Sequence, residues 1–413
     1  MLIVAAALGT LVASSSATAR PLIVVDQAIL VMRHGIRAPL AGEVPDGTRT
    51  GQPWPRWSVA ESRITDHGKA ALMRVAEEDR RRFAAQGLIG TTRCPAAGSV
   101  TIHTNTSDRT IVSGMAYAQG LAHGCSLAVH HLPLDRVDPI FEPLRAGTTS
   151  FDAQAAIASI NRNIGGMQAL AAGHASDLAL LDGVLACSPR GSGCAPEQEA
   201  QVTASRDGKG IDLAGPIRTT SGIAQVLLLQ YVEGLPLQSV GWGRVDAAKL
   251  RKLGALHAAL FDVFTRPPYM AAHQASSLGR DVLDTLAAPD GPQLRVLMGH
   301  DTNVTALAAV LRVDLTAPGY ATNDVAPGGA ILIERGHDPS GTRYVRMFYR
   351  TQSPRALRTG ARTVDRTPLP VPSCTQGRNG WCSLAKFTEL LSANLGPSAS
   401  ASVRPASARS APR

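Results

Sequence analysis

The chain has 413 residues, of which 44% are hydrophobic and 18% charged, the composition of a folded globular protein with room for one large domain or two modest ones. Its net charge of +9 owes three charges to the last eighteen residues, which hold Arg404, Arg409 and Arg413 and no acid. The remaining mild surplus suits anionic small molecules. With aromatics at 4% and no Lys/Arg stripe interleaved with them, it argues against nucleic acid as a partner.

The N-terminal MLIVAAALGTLVASSSATAR reads as an apolar run followed by the small-x-small pattern Ala17-Thr18-Ala19. Residues 1–19 are therefore expected to be an export signal, too short for a membrane span. No later apolar stretch approaches about 18 residues, so the exported chain is expected to be soluble, with no membrane partner. Next comes the apolar run Ala28–Met32, a buried strand that ends in Arg33-His34-Gly35-Ile36-Arg37-Ala38-Pro39. Two guanidiniums within a turn repel each other and lower the pKa of the imidazole between them. A bound anion relieves that conflict, because Arg offers planar donors matched to phosphate oxygens.

The same theme recurs twice. Val100–Thr104 reads as a strand, Asn105–Arg109 as a polar turn and Thr110–Leu121 as a helix, with Thr106 or Ser107 as N-cap. Leu294–Met298 runs into Gly299-His300-Asp301, followed by a helix over Val304–Leu311. Strand, polar turn and helix form the α/β unit. In such sheets ligands collect beyond the carboxyl ends of the strands. If the three strands lie side by side, Arg33, His34, Arg37, Arg109, His300 and Asp301 converge on one crevice.

Between 136 and 250 strand-like runs vanish, and stretches such as Ser150–Ala172 and Ser221–Glu233 read as a helical insertion covering the crevice. Ala330–Ile333 and Thr342–Arg350 read as further strands paired through a turn near Gly336, and Cys382–Leu391 as a closing helix. The Ser/Ala/Pro/Arg tail over 396–413 is compositionally disordered. The expected fold is α/β: a core over 20–135 and 251–395, with a parallel sheet flanked by helices, and a smaller, mostly α-helical domain inserted at 136–250.

The residue types in the crevice describe one reaction. A lone histidine is more often structural, but His34 stands between two arginines at a strand end, placed to attack phosphorus as a nucleophile. Arg33, Arg37 and Arg109 would hold the non-bridging oxygens and neutralise charge developing in the transition state. An isolated His-Asp pair is commonly a helix-capping turn. Downstream of the arginine-flanked histidine, His300 becomes a phosphate hydrogen-bond donor and Asp301 the proton donor to the leaving alcohol. His34 must be neutral and Asp301 protonated, which predicts an acid optimum. An optimum above about pH 8, beyond the histidine range, contradicts it.

The arginines supply the positive charge, so no metal and no cofactor are expected. His67, His123, His130, His131, His257 and His273 show no ligand spacing with carboxylates and read as surface or core residues. The sequons at Asn105 and Asn303 fall in the crevice and are discounted as glycosylation sites. Six cysteines fit an oxidising compartment, with fifteen possible connectivities. Their order suggests Cys94–Cys125, Cys187–Cys194 and Cys374–Cys382, and the absence of a CxxC pair argues against zinc.

RHGIRAP (33–39), Asp108-Arg109-Thr110, GHDTN (299–303), APGG (326–329) and Trp381-Cys382-Ser383-Leu384 together resemble the histidine acid phosphatases, branch 2 of the histidine phosphatase superfamily, over nearly the whole mature chain. The resemblance implies a phosphoglycerate-mutase-like α/β core with a helical domain, a covalent phosphohistidine and no metal. By position it makes His34 the nucleophile, Asp301 the proton donor, and Arg33, Arg37, Arg109 and His300 the phosphate ligands.

Ala38-Pro39-Leu40-Ala41 and Leu229–Gly234 are similar to bacterial glucose-1-phosphatases, whereas Gly35 and Thr302-Asn303 look more like periplasmic phytases. Ala41 stands where phytases often carry a lysine, which disfavours a highly phosphorylated inositol. Glu233 is a candidate contact to a sugar hydroxyl. The resemblance thus implies a periplasmic or secreted phosphatase acting on a phosphorylated small molecule, a sugar or inositol phosphate. A phosphoglycerate-mutase-like transferase would need its phosphohistidine kept from water, which export and disulfides disfavour. A non-catalytic phospholigand binder should have lost His34 or Asp301.

Overall fold

The computed structural model describes residues 23–90, 94–187, 193–374 and 380–397. The export signal expected at 1–19 and nearly all of the tail expected at 396–413 lie outside the described residues.

In chain order, β1 (Val24–Arg33) is followed by α1 (Asp66–Ala85), β2 (Val100–Thr104), α2 (Asp108–Leu121) and β3 (Val129–His130). The chain then runs through α3 (Pro143–Ala146), α4 (Ala153–Ile164), α5 (Met167–Gly173), α6 (Ala175–Leu185), the hairpin β4 (Gln201–Ala204) and β5 (Ile211–Ala214), and α7 (Pro216–Val232). Next come α8 (Ala247–Phe264), α9 (Pro268–Gln274), α10 (Ser276–Ala287), β6 (Leu294–Gly299) and α11 (Asp301–Val310). Finally β7 (Ala330–His337), β8 (Arg343–Thr351), α12 (Pro354–Thr359), β9 (Asp365–Leu369), β10 (Cys382–Ser383) and α13 (Leu384–Asn394) complete the chain.

The central sheet has the order β10-β8-β7-β1-β6-β2-β3, with β9 also paired to β8. The strands β1, β6, β2 and β3 are mutually parallel, whereas β7 to β10 are joined antiparallel. The sheet is thus mixed rather than wholly parallel. Within its second half only five residues join β7 to β8, a connection that can only return antiparallel. The β7–β8 turn falls after His337, beyond Gly336, because β7 stays in register with β8 to the His337–Arg343 pair.

β1 is the spine. Ala28 to Met32 are fully buried, and successive side chains enter opposite layers, as the pleat requires. Ile29 and Val31 join Leu278, Val304, Leu307 and Phe387 on one face. Ala28, Leu30 and Met32 join Leu72, Val75, Phe83 and Tyr117 on the other. An apolar run buried on both faces is what helices on both sides of a parallel strand pair demand.

The α6–α8 layer has its own apolar cluster, which takes in Ile36 and Ala71 from the sheet domain and so docks the layer onto it. Gly222 of α7 makes this approach possible: a Cβ there would stand 2.2 Å from the Glu43 carbonyl oxygen. Two features depart from the sequence reading. The helical segment contains the β4–β5 hairpin, whose four-residue strands are too short and too polar for their alternation to stand out. The boundary drawn at 250 falls inside α8, whose Leu250, Leu253 and Leu256 pack in the α6–α7 cluster.

All six cysteines are paired, as Cys94–Cys125, Cys187–Cys194 and Cys374–Cys382. The last ties β10 to the stretch following β9.

A buried charge cluster braces α1 against the sheet. Asp79, fully buried, accepts from the Tyr117 hydroxyl at 2.9 Å and pairs with Arg350 and Arg366, each at 3.1 Å. Arg350, also fully buried, donates to the Gly328 carbonyl at 2.6 Å, and the Gly328 amide donates to the carbonyl of His34. Removing the carboxylate strands a guanidinium in the core. Asp79→Ala is therefore expected to lower unfolding stability by roughly 3–5 kcal/mol, read from urea denaturation. A loss under about 1 kcal/mol, the scale of a surface pair, would show that the cluster is not a brace.

Candidate active site

The six residues singled out from the sequence meet at the carboxyl ends of β1, β6 and β2. Register brings them there: in the parallel β1–β6 pair Arg33 stands opposite Gly299, so Arg33-His34 and His300-Asp301 leave the sheet side by side. The turn after β1 is held from two sides. The His34 amide donates to the Gly299 carbonyl at 3.0 Å, and the Arg33 amide to the Gly329 carbonyl at 2.9 Å. At the end of β2, the Asn105 amide donates to the Met298 carbonyl at 3.0 Å, which sets the start of α2 and with it Arg109.

His34, Arg37, Arg109, His300 and Asp301 border a cavity of about 610 Å³ between the sheet edge and helices α7 and α8. Arg33 lies one layer deeper, fully buried. It pairs with Asp301 at 3.1 Å and donates to the Val325 carbonyl. A second cavity of about 490 Å³, beside Asp182 and Cys194's neighbour Ala195, contains none of the six.

The imidazole of His34 is 3% exposed, and its Nδ1 lies 2.9 Å from the Gly35 carbonyl oxygen. A carbonyl only accepts, so Nδ1 carries the hydrogen and Nε2 keeps its lone pair. Burial, then Arg33, Arg37 and Arg109, hold its pKa well below 6.5. His300 stands edge-on to His34, ring centroids 5.7 Å apart. The Asn105 side-chain amide donates to Glu142 and reaches His300 Nε2 at 2.9 Å. That assigns the His300 hydrogen to Nδ1, which then faces Arg109 Nη2 at 3.4 Å, two donors that need an acceptor supplied between them. Burial, then Arg109, pushes the pKa of His300 down to about 3.

Both histidines are therefore neutral in the acidic range, His34 with a lone pair on Nε2 and His300 with its hydrogen on Nδ1. The sign for folding is opposite. An unfolded chain binds these protons near pH 6.5 and the folded one does not, so stability falls as pH drops through that window.

Asp301 opens α11, where the helix N-terminus favours an anion, and its Oδ1 accepts from the Thr302 amide at 2.9 Å. Burial pushes its pKa up, but Arg33, His257, His300 and Arg37 outweigh burial and hold it below the usual carboxylate range. Without an anion in the cavity Asp301 is thus a carboxylate. Protonating it in the ordinary carboxylate range would take an anion in the cavity to offset those cations.

The guanidiniums are partly committed. Arg37 is gripped by both oxygens of Glu43, which also accepts from the Leu40 amide at 2.8 Å. The Nε atoms of Arg33, Arg37 and Arg109 have no hydrogen-bond acceptor among the described residues, as is also so of Arg350 and Arg366 in the Asp79 cluster. Arg109 is destabilised by burial, then by Arg37, so an anion between them relieves both.

Several residues of the site carried no signal in the sequence. Glu43 sits in an irregular turn six residues after Arg37. His257, read as a surface or core residue, borders the cavity with its Nε2 3.9 Å from Asp301 Oδ2. Gln225, 2% exposed, lines the α7 wall with both amide atoms unpartnered. Ser107 occupies the N-cap of α2, but its hydroxyl meets Thr110 Oγ1 instead of a backbone amide. Asn105 and Asn303 are buried and hydrogen-bonded. Glu233 departs from expectation: it accepts from Thr65 Oγ1 at 2.6 Å, at the end of α7 and off the cavity wall, so it is not placed to meet a sugar hydroxyl.

Residues 24–163 match the family model of the histidine phosphatase superfamily (branch 2). The chain is 29% identical to phytase AppA of Escherichia coli over 411 residues, 92% of this chain and 94% of that protein. It is 26% identical to the glucose-1-phosphatase of Salmonella typhimurium over 383 residues, 88% and 91% of the two chains. Among solved structures, Hafnia alvei phytase in complex with tartrate superposes with a TM-score of 0.84 at 29% identity, covering 91% of this chain and 98% of that one. Its complex with myo-inositol hexakis sulphate superposes at 0.83 and 27% identity, over the same shares.

The protonation states are directly observable. In the ¹⁵N-labelled protein His34 is expected to stay neutral, with its hydrogen on Nδ1, as pH falls through the ordinary histidine range, and His300 to titrate only near pH 3. A midpoint close to 6.5 for either ring would contradict this account of the site.

Proposed function

The chain belongs to branch 2 of the histidine phosphatase superfamily, the histidine acid phosphatases, and we propose that it is an exported hydrolase of phosphate monoesters that works through a phosphohistidine. The observation that carries this reading is the convergence of three guanidiniums on a neutral imidazole, with His34, Arg37, Arg109, His300 and Asp301 opening onto one cavity. In the proposed reaction a phosphoryl group enters among Arg33, Arg37 and Arg109, and His300 donates through Nδ1. His34 Nε2 attacks phosphorus as the ester oxygen leaves with a proton from Asp301. Asp301 then takes a proton from water as that water attacks the phosphohistidine. Three disulfides support export to an oxidising compartment.

The rest of the cavity wall is mixed: Glu43, Glu142 and Gln225 offer acceptors, Ala41 a methyl group, and Arg145 and Arg218 further cations, of which Arg145 is already paired with Glu142. Carboxylates and amides accept or exchange hydrogen bonds with hydroxyls, and they compete with added phosphates for the two cations. This balance supports a polyhydroxylated alcohol with one phosphate, such as glucose 1-phosphate, over phytate.

Phosphate release by the purified protein at about pH 5, between the aspartate and histidine reference values, tests the reading. Glucose 1-phosphate, phytate and p-nitrophenyl phosphate are compared in the presence of a chelator. Chelator-resistant turnover is expected, with kcat/KM higher for glucose 1-phosphate than for phytate. His34→Ala is expected to lose at least about 10³-fold in kcat, the scale on which removing a nucleophile acts. The rate should rise towards acid: His34 stays neutral because its pKa is depressed, while Asp301 with bound phosphate is more often protonated. Full activity in His34→Ala sinks the mechanism, and no turnover by folded wild-type protein points to a binder instead.

A further inference from the structure

Asp301 poses a supply problem. It must hand a proton to the leaving oxygen, yet three arginines surround it and Arg33 touches its Oδ2 at 3.1 Å. The buried group on its other side is His257 of α8, 6% exposed, whose Nε2 lies 3.9 Å from the same Oδ2.

The far nitrogen of that ring is held firmly. His257 Nδ1 is 2.8 Å from Oδ1 of Asp324, which is 3% exposed. A carboxylate only accepts, so Nδ1 carries a hydrogen and Nε2 faces Asp301. The Asp324 loop is held by hydrogen bonds at this point. Asn323, beside it, donates its amide to the Leu315 carbonyl at 2.8 Å and accepts at Oδ1 from the Leu315 amide at 2.9 Å. Val325, on the other side, accepts from Arg33. Three consecutive residues thus anchor the loop, hold His257 and hold Arg33. Gly254, one turn before His257 on α8, leaves room for the carboxylate, since a Cβ there would lie 2.5 Å from Asp324 Oδ2.

A lone pair on Nε2 opposite a carboxylate oxygen would be repulsive, and a proton between the two removes the repulsion. We propose that His257, held by Asp324, is the proton store for Asp301. Before reaction Nε2 carries a proton balanced by the Asp324 carboxylate. As His34 Nε2 bonds to phosphorus, the P–O bond to the alcohol breaks and its electron pair goes to the leaving oxygen. That oxygen takes the Asp301 proton, and Asp301 takes the Nε2 proton of His257. In the second half, water bonds to phosphorus and the P–N pair returns to His34. Asp301 returns its proton to His257 Nε2 as it takes the proton lost by water, which closes the cycle. The 3.9 Å gap is of the kind that shortens when a substrate compacts the site. His257 acts through Asp301 and is a positioning residue.

This inference rests on the phosphatase reading, and leaving-group dependence separates the two. An alkyl phosphate needs its leaving oxygen protonated, whereas p-nitrophenolate leaves readily without help. The readout is kcat/KM, which reports the steps up to phosphoryl transfer and not breakdown of the phosphoenzyme. His257→Asn is expected to lower kcat/KM for glucose 1-phosphate by about 10–100-fold, part of what general acid catalysis contributes, and for p-nitrophenyl phosphate by no more than about threefold. The isosteric Asp324→Asn should show the same selectivity more weakly, and serves as the test if His257→Asn does not fold. Equal losses on both esters, or no loss on either, overturn the inference while leaving a phosphatase. No turnover of either ester by wild-type protein overturns both.

Discussion

The site depends on one register. β1 and β6 run parallel with Arg33 opposite Gly299, and everything that follows those two residues leaves the sheet at the same edge. A slip of one residue would exchange the two faces of β1. Arg33 would then lose Asp301 and the Val325 carbonyl, and the core alternation of Ile29 and Val31 against Leu30 and Met32 would fail with it. The packing that stabilises the strand is therefore also what fixes the reacting groups. Residues more than 260 positions apart need no other device to meet.

Assembling these groups creates an electrostatic conflict that the chain resolves only in part. Asp301 and Glu43 neutralise two of the three guanidiniums nearest His34, and neutral His34 and His300 add no charge. What remains is a positive excess at the cavity. On the proposed function a doubly charged phosphoryl group would offset it. Its arrival would also weaken the cations' hold on the Asp301 carboxyl, so that binding and proton availability would be coupled. The same depressed histidines make folding less favourable in acid. The buried Asp79–Arg350 brace and three disulfides act against that loss.

What was legible in the sequence was whatever strand periodicity or a compact motif records. The apolar runs before Arg33, Asn105 and Gly299 mark three neighbouring strands, and those strand ends carry the six residues that meet at the site. The β7–β8 pair was legible as two strands about a turn, but β9, β10, the β4–β5 hairpin and the continuity of α8 across 250 were not, because short strands and helix ends leave weak patterns. The same limit hid Glu43, Gln225, His257 and Asp324. His257 occupies a buried face of an ordinary amphipathic helix, and Asp324 an irregular loop. Only the fold brings them to Asp301, and nothing in their local spacing distinguishes them from core and turn residues.

The central claim is that His34 Nε2 becomes covalently phosphorylated, and the most direct measurement is to trap that species. Asp301→Asn slows transfer to water, so protein mixed with ³²P-labelled p-nitrophenyl phosphate and quenched in alkali should retain label on one peptide. The account predicts an acid-labile, alkali-stable phosphoramidate on the peptide containing His34, absent in the His34→Ala, Asp301→Asn double variant. Label on any other residue, or turnover of the ester with no labelled protein at any quench time, would contradict it.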